Sequence, residues 1–423
     1  MVVLVVALSL SALLAPNGFG ANPRSSPSFR SASESRPLES RLASTMAALP
    51  SGTNWNWVVT TPPKAPSPRA GAAMVYDGAD GYTLLFGGCP SWGGDYWTHQ
   101  CTAVGDTWEL TNGLWTNLTL SLSGPSPPAR FDAGIAYDSV DHVVVLFGGI
   151  DGATVYHDTW TYAGGRWTQV HPSSSPSARF APGMAAAEAG GVLLFGGANS
   201  TLNSIVYNDT WSYVGGAWSQ LSTRSAPAQR FSMALDYDPA GAFDLMYGGW
   251  NATTPGSFSD TWIFADGAWT ELFPRSSPPA ENYPTMAFDP RADAMIMTGG
   301  HTGYNVYAAT WAYNVSTGWA FVSTPTTPIP SWGLSLSYDP STGGVWLFGG
   351  YYATVAPYGV YLNFTWEFVS VSSPPSSSST SFSWLTFGEG ALAGAAVAGA
   401  VAAGVFLTRP KRPPSTVPPG PWK

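Results

Sequence analysis

Short apolar runs that each end at a pair of glycines recur along the chain, with polar turn-forming residues between them. TLLFGG, VVVLFGG, GVLLFGG and VWLFGG show the pattern, and the six pairs are Gly87-Gly88, Gly148-Gly149, Gly196-Gly197, Gly248-Gly249, Gly299-Gly300 and Gly349-Gly350. A Thr-Trp pair follows each, at Thr107-Trp108, Thr159-Trp160, Thr210-Trp211, Thr261-Trp262, Thr310-Trp311 and Thr365-Trp366. A Tyr/Phe-Asp pair stands eleven residues before the first glycine in five repeats, and the third repeat has Ala186-Ala187 one residue closer. Runs this short, rich in aliphatic and aromatic residues and bounded by segments such as DGADG, DPAG and DPSTG, predict strands joined by tight turns.

Each repeat then supplies a strand a ending in the Tyr-Asp pair, as in AGAAMVYD, and a strand b running into the glycines. Strand c is the Asp-Thr-Trp segment, with Ala309 and Phe364 in place of the Asp in the last two repeats. Strand d carries a second Trp seven residues on, at Trp115, Trp167, Trp218 and Trp269, or eight on, at Trp319. A period of about fifty residues made of short strands is the pattern of blades around an axis. The predicted fold class is therefore all-β, a six-bladed propeller over 53–370.

The sixth repeat has no second Trp after Trp366, and the missing strand is found at the other end. Trp57 lies twelve residues before Arg69, the interval that also separates Trp167 from Arg179, Trp218 from Arg230, Trp269 from Glu281 and Trp319 from Ser331. Residues 53–60 are accordingly expected to complete the last blade, closing the ring and removing two exposed sheet edges. The glycine pairs are read as sharp turns with positive φ where neighbouring blades approach, in preference to a phosphate cradle. The Trp residues are read as packing between blades.

The FGG motif followed by DTW, a Tyr and a second Trp, as in LLFGGANSTLNSIVYNDTWSYVGGAWSQL, resembles the Kelch repeat. The whole stretch is similar to the propeller shared by Kelch proteins and the central domain of galactose oxidase. The resemblance implies a fold; such propellers serve enzymes, adhesion molecules and protein-binding adaptors, so activity has to be argued from the site.

The two ends of the chain bear on compartment. Residues 1–20 hold an apolar run, VVLVVALSLSALL, of signal-peptide length without a basic leader, and 21–52 are Ser-rich and linker-like. A Ser/Pro stalk at 371–383 precedes an apolar, small-residue segment at 384–407, long enough to span a bilayer as a transmembrane helix, and a basic tail at 408–423. The positive charge after the span places the tail in the cytoplasm and the propeller outside, at the cell membrane. Cys89 and Cys101, the only cysteines, are expected to form a disulfide clipping the b-to-c loop of the first blade; zinc binding with His99 is the alternative. Sequons at Asn117, Asn199, Asn208, Asn251, Asn314 and Asn363 are candidate N-glycosylation sites.

A net charge of −9, with only 10% charged residues, argues against a nucleic-acid partner, which needs a basic face. It favours a surface of hydroxyls, amides and aromatics, suited to a protein or carbohydrate ligand. Two sets of residues are candidates for binding it. Arg69, Arg130, Arg179 and Arg230 open strand a in blades one to four, with Glu281 and Ser331 at the same place in five and six; such a ring could hold a carboxylate or sulfate, or each Arg could instead pair with Asp106, Asp158, Asp209 or Asp260 or with carbonyls of a neighbouring blade. The b-to-c loops of blades one and six are long and aromatic, with Trp92, Tyr96 and Trp97 in one and Tyr351, Tyr352 and Tyr358 in the other, and ring closure makes them neighbours. The alternative is that these rings only cover the propeller's outer edge.

No enzyme class is indicated, and no cofactor or metal is expected. The Cys, paired Tyr and His of a galactose-oxidase-like copper site do not recur, since both cysteines fall in one loop and the His residues show no repeated placement. Asp-box turns, nucleophile elbows, P-loops and HExxH patterns are also missing. The expectation is a membrane-anchored recognition module; a glycan-acting enzyme or a structural surface coat are the alternatives.

Overall fold

The computed structural model describes residues 54–90, 101–188, 190–199, 205–251, 256–303, 305–355 and 358–371. The expected signal segment, linker, transmembrane segment and tail lie outside these residues, as does the expected stalk beyond its first residue, Val371, which ends the last strand. Among the described residues no helix is long and apolar enough to cross a membrane.

Six antiparallel sheets, each with its strands in the order a, b, c, d, make up the six blades. Blade two is representative, with strands Gly134–Asp138, Val143–Phe147, Thr159–Ala163 and Arg166–Val170. The innermost strands of successive blades touch in a closed cycle, and blade six returns to blade one. Ring closure follows from the first described strand: Asn54–Thr60 pairs with Thr365–Val371, Trp57 opposite Phe368, and so supplies the outer strand of blade six.

Each recurring residue has a structural duty. The Asp that ends strand a accepts backbone N–H bonds across the a-to-b turn, as when Asp77 Oδ1 takes Ala79 N at 2.9 Å and Asp138 Oδ1 takes Val140 N at 2.9 Å. The Trp of strand d donates its indole N–H to the Thr of the Thr-Trp pair in the preceding blade. Trp167 bonds Thr107 at 3.1 Å, Trp218 bonds Thr159 at 3.0 Å, and Trp269 and Trp319 bond Thr210 and Thr261 at 2.9 Å. The two bonds that flank the closure, Trp57 to Thr310 and Trp115 to Thr365, are both 2.8 Å. Each indole also packs edge-on against an aromatic ring of the preceding blade in blades one to five, for example Trp167 on Phe86 at 5.3 Å. Such a pair contributes about 0.5–1.5 kcal/mol beyond its buried area. One polar contact at every seam, joined by an aromatic contact at five of the six, holds blades that share no backbone sheet.

Candidate functional site: the glycine-pair rim

Strand b ends, strand c begins and the d-to-a connections all lie on one face of the ring. Both glycines of each pair have positive φ, for instance 67° and 95° at Gly148 and Gly149. The first glycine also lies under the backbone of the next blade: a Cβ on Gly349 would stand 2.5 Å from the carbonyl oxygen of Arg69, and one on Gly248 would stand 2.7 Å from that of Glu281. Any side chain there would wedge two blades apart, so the glycine pairs are a packing device.

The four arginines sit on this rim with their side chains enclosed. Arg130 donates Nη1 to Asp158 Oδ1 at 2.6 Å and to Gly148 O at 2.9 Å, and donates Nη2 to Asp158 Oδ2 at 2.8 Å; its guanidinium lies 4.0 Å from the Tyr156 ring centre. Arg69 with Asp106, Arg179 with Asp209 and Arg230 with Asp260 repeat the two-pronged pairing. The arginine side chains are 0–1% exposed and the Asp side chains 16–23%. Each Asp also accepts the indole N–H of its own Asp-Thr-Trp segment at 2.7 Å. Burial pushes these carboxyls up, but the guanidinium bonds and the indole bond outweigh it and hold all four below the usual carboxylate value. Of the two readings open to these arginines, pairing with Asp106, Asp158, Asp209 and Asp260 is the one the structure shows, with each counter-charge in the arginine's own blade rather than on a neighbour, so the guanidinium groups are turned inward and do not ring a ligand.

Blades five and six depart from this scheme in both partners at once. Glu281 stands where the Arg would be and Ala309 where the Asp would be; in blade six the two positions are Ser331 and Phe364. Glu281 is 1% exposed, and its Oε2 has no hydrogen-bond partner among the described residues. Burial alone pushes its carboxyl up to about 8. The indole N–H of Trp311, deprived of its Asp, is likewise buried without an acceptor among the described residues.

Two residues beyond each Arg position, the chain adopts positive φ at Gly71, Asp132, Ala181, Ser232, Tyr283 and Gly333. Their backbones are linked around the axis: Gly71 N donates to Gly333 O, Asp132 N to Gly71 O, Ala181 N to Asp132 O, Ser232 N to Ala181 O and Tyr283 N to Ser232 O, at 2.7–2.9 Å. This collar frames an axial cavity of about 190 Å³. Tyr283, from blade five, reaches over the mouth to blade two and donates its hydroxyl to Asp132 Oδ2 at 2.9 Å. Asp132 lines the cavity and is half-buried, and desolvation raises its carboxyl to about 7 against the lowering effect of the Tyr283 bond. The collar was not legible in the sequence because its six positions share no residue type, only a backbone conformation.

Cys89 and Cys101 are bonded as a disulfide, which excludes them as zinc ligands. Trp92, Tyr96 and Trp97, within the loop they close, lie outside the described residues. In blade six the described part of the expected loop is paired strand: strand b extends from Gly344 to Val355, and Tyr358–Tyr361 pairs back onto it. Tyr351 and Tyr352 are half-buried there, and Tyr351 packs against Tyr361 at 4.9 Å and Trp332 at 5.0 Å. Tyr358 opens the return strand. The expected neighbourhood of blades one and six holds, with Cys89 Sγ 3.8 Å from the Tyr361 hydroxyl and Arg69 N donating to Leu362 O at 3.0 Å.

The sequons divide. Asn117, Asn208 and Asn363 are exposed and Asn199 is half-buried, with its Nδ2 bonded to the Tyr207 hydroxyl at 3.1 Å. Asn251 and Asn314 are 2% and 5% exposed, and Asn314 Nδ2 donates to Asp293 O at 2.6 Å. A folded blade has no room for a glycan at these two positions.

Residues 49–238 match the family model described as the KLHDC2/KLHL20/DRC7 Kelch-repeats domain. The six blades and the Gly-Gly, Asp-Thr-Trp and Trp geometry agree with this match, and together they support a Kelch-repeat β-propeller. Propellers of this class typically serve as protein-interaction modules.

Proposed function

We propose that this chain is a membrane-anchored, outward-displayed Kelch propeller that recognises a protein partner through the rim over blades six and one, and that it is not an enzyme. The observation that carries this reading is the juxtaposition on one rim of the Cys89–Cys101 disulfide of blade one and the aromatic hairpin strands of blade six. A disulfide is at home in an oxidising compartment. Chain direction supports the display. Thr365 leaves the rim and pairs with Phe348 beside the glycine pair, so Val371 ends that strand at the face opposite the rim. A stalk beginning at 371 leaves from that opposite face, with the recognition loops pointing away from the membrane.

The test displays the full chain on cells and probes it with an array of soluble cell-surface protein domains and glycans. Saturable binding to a protein, lost in Tyr352→Ala but kept in Val140→Asp on the opposite face, supports the reading. Equal loss in both variants, binding to glycans only, or no saturable binding overturns it.

A further inference from the structure

Four blades carry the same inner device, and its breakdown in blade five is asymmetric. In blades one to four a buried cation, the arginine, is paired with a partly exposed anion at the rim. In blade five the buried member is the acid Glu281, and the rim member has become Ala309, which is half-buried and carries no charge. The carbonyl that takes the Arg Nε in blades one to four, Pro279 O in blade five, accepts the Tyr247 hydroxyl at 3.0 Å, but two other parts of the guanidinium surroundings are retained. The Gly299 carbonyl stands at the position of Gly148 O, which accepts from Arg130. Tyr307 N donates to Gly300 O as Tyr156, Tyr207 and Phe258 N donate to the second glycine of their blades, so the Tyr307 ring belongs to the set on which the guanidinium groups of blades two to four lie at 3.9–4.1 Å.

Glu281 is also the shorter side chain. A Cβ on Gly300 would meet Glu281 Oε2 at 3.3 Å, and a Cβ on Gly197 would meet Arg179 Cδ at the same 3.3 Å. The carboxyl therefore stops at the level of the arginine δ carbon, short of the guanidinium position. The orphaned Oε2 of Glu281 and the orphaned N–H of Trp311 mark both ends of the missing pair as untaken by any other described side chain. Leaving a buried acid unpaired is costly, and an arriving cation supplies the charge that the fold omits.

We propose that the blade-five rim above Ala309 is a binding site for a guanidinium group, the side chain of an arginine presented by a ligand, which enters through the space of the absent Asp and pairs with Glu281 over the Tyr307 ring. The planar fork of a guanidinium suits a carboxylate and a ring face together, as the equivalent Arg does in blades two to four. Entry converts Glu281 from its protonated to its ionised form near neutral pH, so binding releases a proton. This site is independent of the rim over blades six and one, and neither result decides the other.

The test titrates the full chain with N-acetyl-arginine amide by calorimetry at pH 7, in two buffers of different ionisation heat. N-acetyl-citrulline amide serves as the uncharged isostere and N-acetyl-lysine amide as the compact cation. The expected result is binding at about millimolar affinity or tighter, with proton release, and at least about tenfold weaker binding of the other two amides. Glu281→Gln should lose about tenfold or more, and the internally repaired Glu281→Arg/Ala309→Asp chain should not bind while remaining folded. Undiminished binding in either variant, equal binding of the citrulline or lysine amide, or no heat with the arginine amide overturns the proposal.

Discussion

Replacing Asp158 by Asn tests how the rim is held. Arg130 is fully enclosed, and its guanidinium meets Asp158 through two bonds of 2.6 and 2.8 Å, with Gly148 O, Pro128 O and the Tyr156 ring completing its surroundings. Asp158→Asn keeps the shape and one acceptor oxygen but strands a buried positive charge, and its amide places an N–H group towards either Arg130 or the Trp160 indole. Breaking a buried pair in this way costs about 3–5 kcal/mol. The replacement of both partners seen in blade six, Arg130→Ser with Asp158→Phe, removes the charge together with its counter-charge. The chain already tolerates that arrangement at Ser331 and Phe364, so the double variant should cost less than Asp158→Asn alone, by about 1–3 kcal/mol. Equilibrium urea unfolding of the full chain, followed by tryptophan fluorescence, gives the three midpoints, and a thermal melt should place Asp158→Asn about 5–10 °C below the parent. A double variant no more stable than Asp158→Asn would show that the stranded charge is not what the single replacement costs, and the account of the rim would fail.

Ring closure by Trp57 sets a second expectation. Trp57→Phe keeps the ring packed on Phe368 but leaves the Thr310 hydroxyl without its donor, for a loss of about 1–2 kcal/mol, whereas Trp57→Ala should lose about 3–5 kcal/mol; equal losses in a melt would remove the hydrogen bond from the closure. Glu281 gives a pH signature. Its carboxyl is raised from 4.5 to about 8 in the fold, so the fold holds a proton that the unfolded chain releases, and stability is full below pH 4.5 and falls as pH rises towards 8. Glu281→Gln should flatten that decline and gain on the order of 2–3 kcal/mol at pH 8, with no gain at pH 4; a parallel pH profile would refute it. The four rim Asp carboxyls act in the opposite sense, contributing stability above the ordinary value of 3.8 that is lost as pH falls through their lower folded values. Reducing the Cys89–Cys101 disulfide, whose partners are 12 residues apart, should cost about 2–3 kcal/mol, read as a lower melting temperature in reductant; an unchanged melt would mean the clip orders the loop alone.

Blade number, strand order and closure were legible in the sequence because each depends on local rules that repeat. Paired glycines permit positive φ, the Asp after strand a caps its turn, and the interval from Trp57 to Arg69 matches the other seams. The same holds for the substitution of Glu281 and Ala309 at matching places, which is visible in the text of the repeats.

What the linear text left open was which way a polar group faces. An arginine at the start of a blade can serve a ligand or its own blade, and the choice fell to burial, since a guanidinium enclosed by Gly148 O and Tyr156 needs Asp158 within 2.6 Å. The hydroxyl of Tyr283 meets Asp132 over a distance of 151 residues, a contact that exists only because six blades close around one axis. Local composition sets turns and strands through short-range sterics and periodicity, whereas the pairing of buried charges and the collar of the cavity depend on distances that arise once the ring is shut.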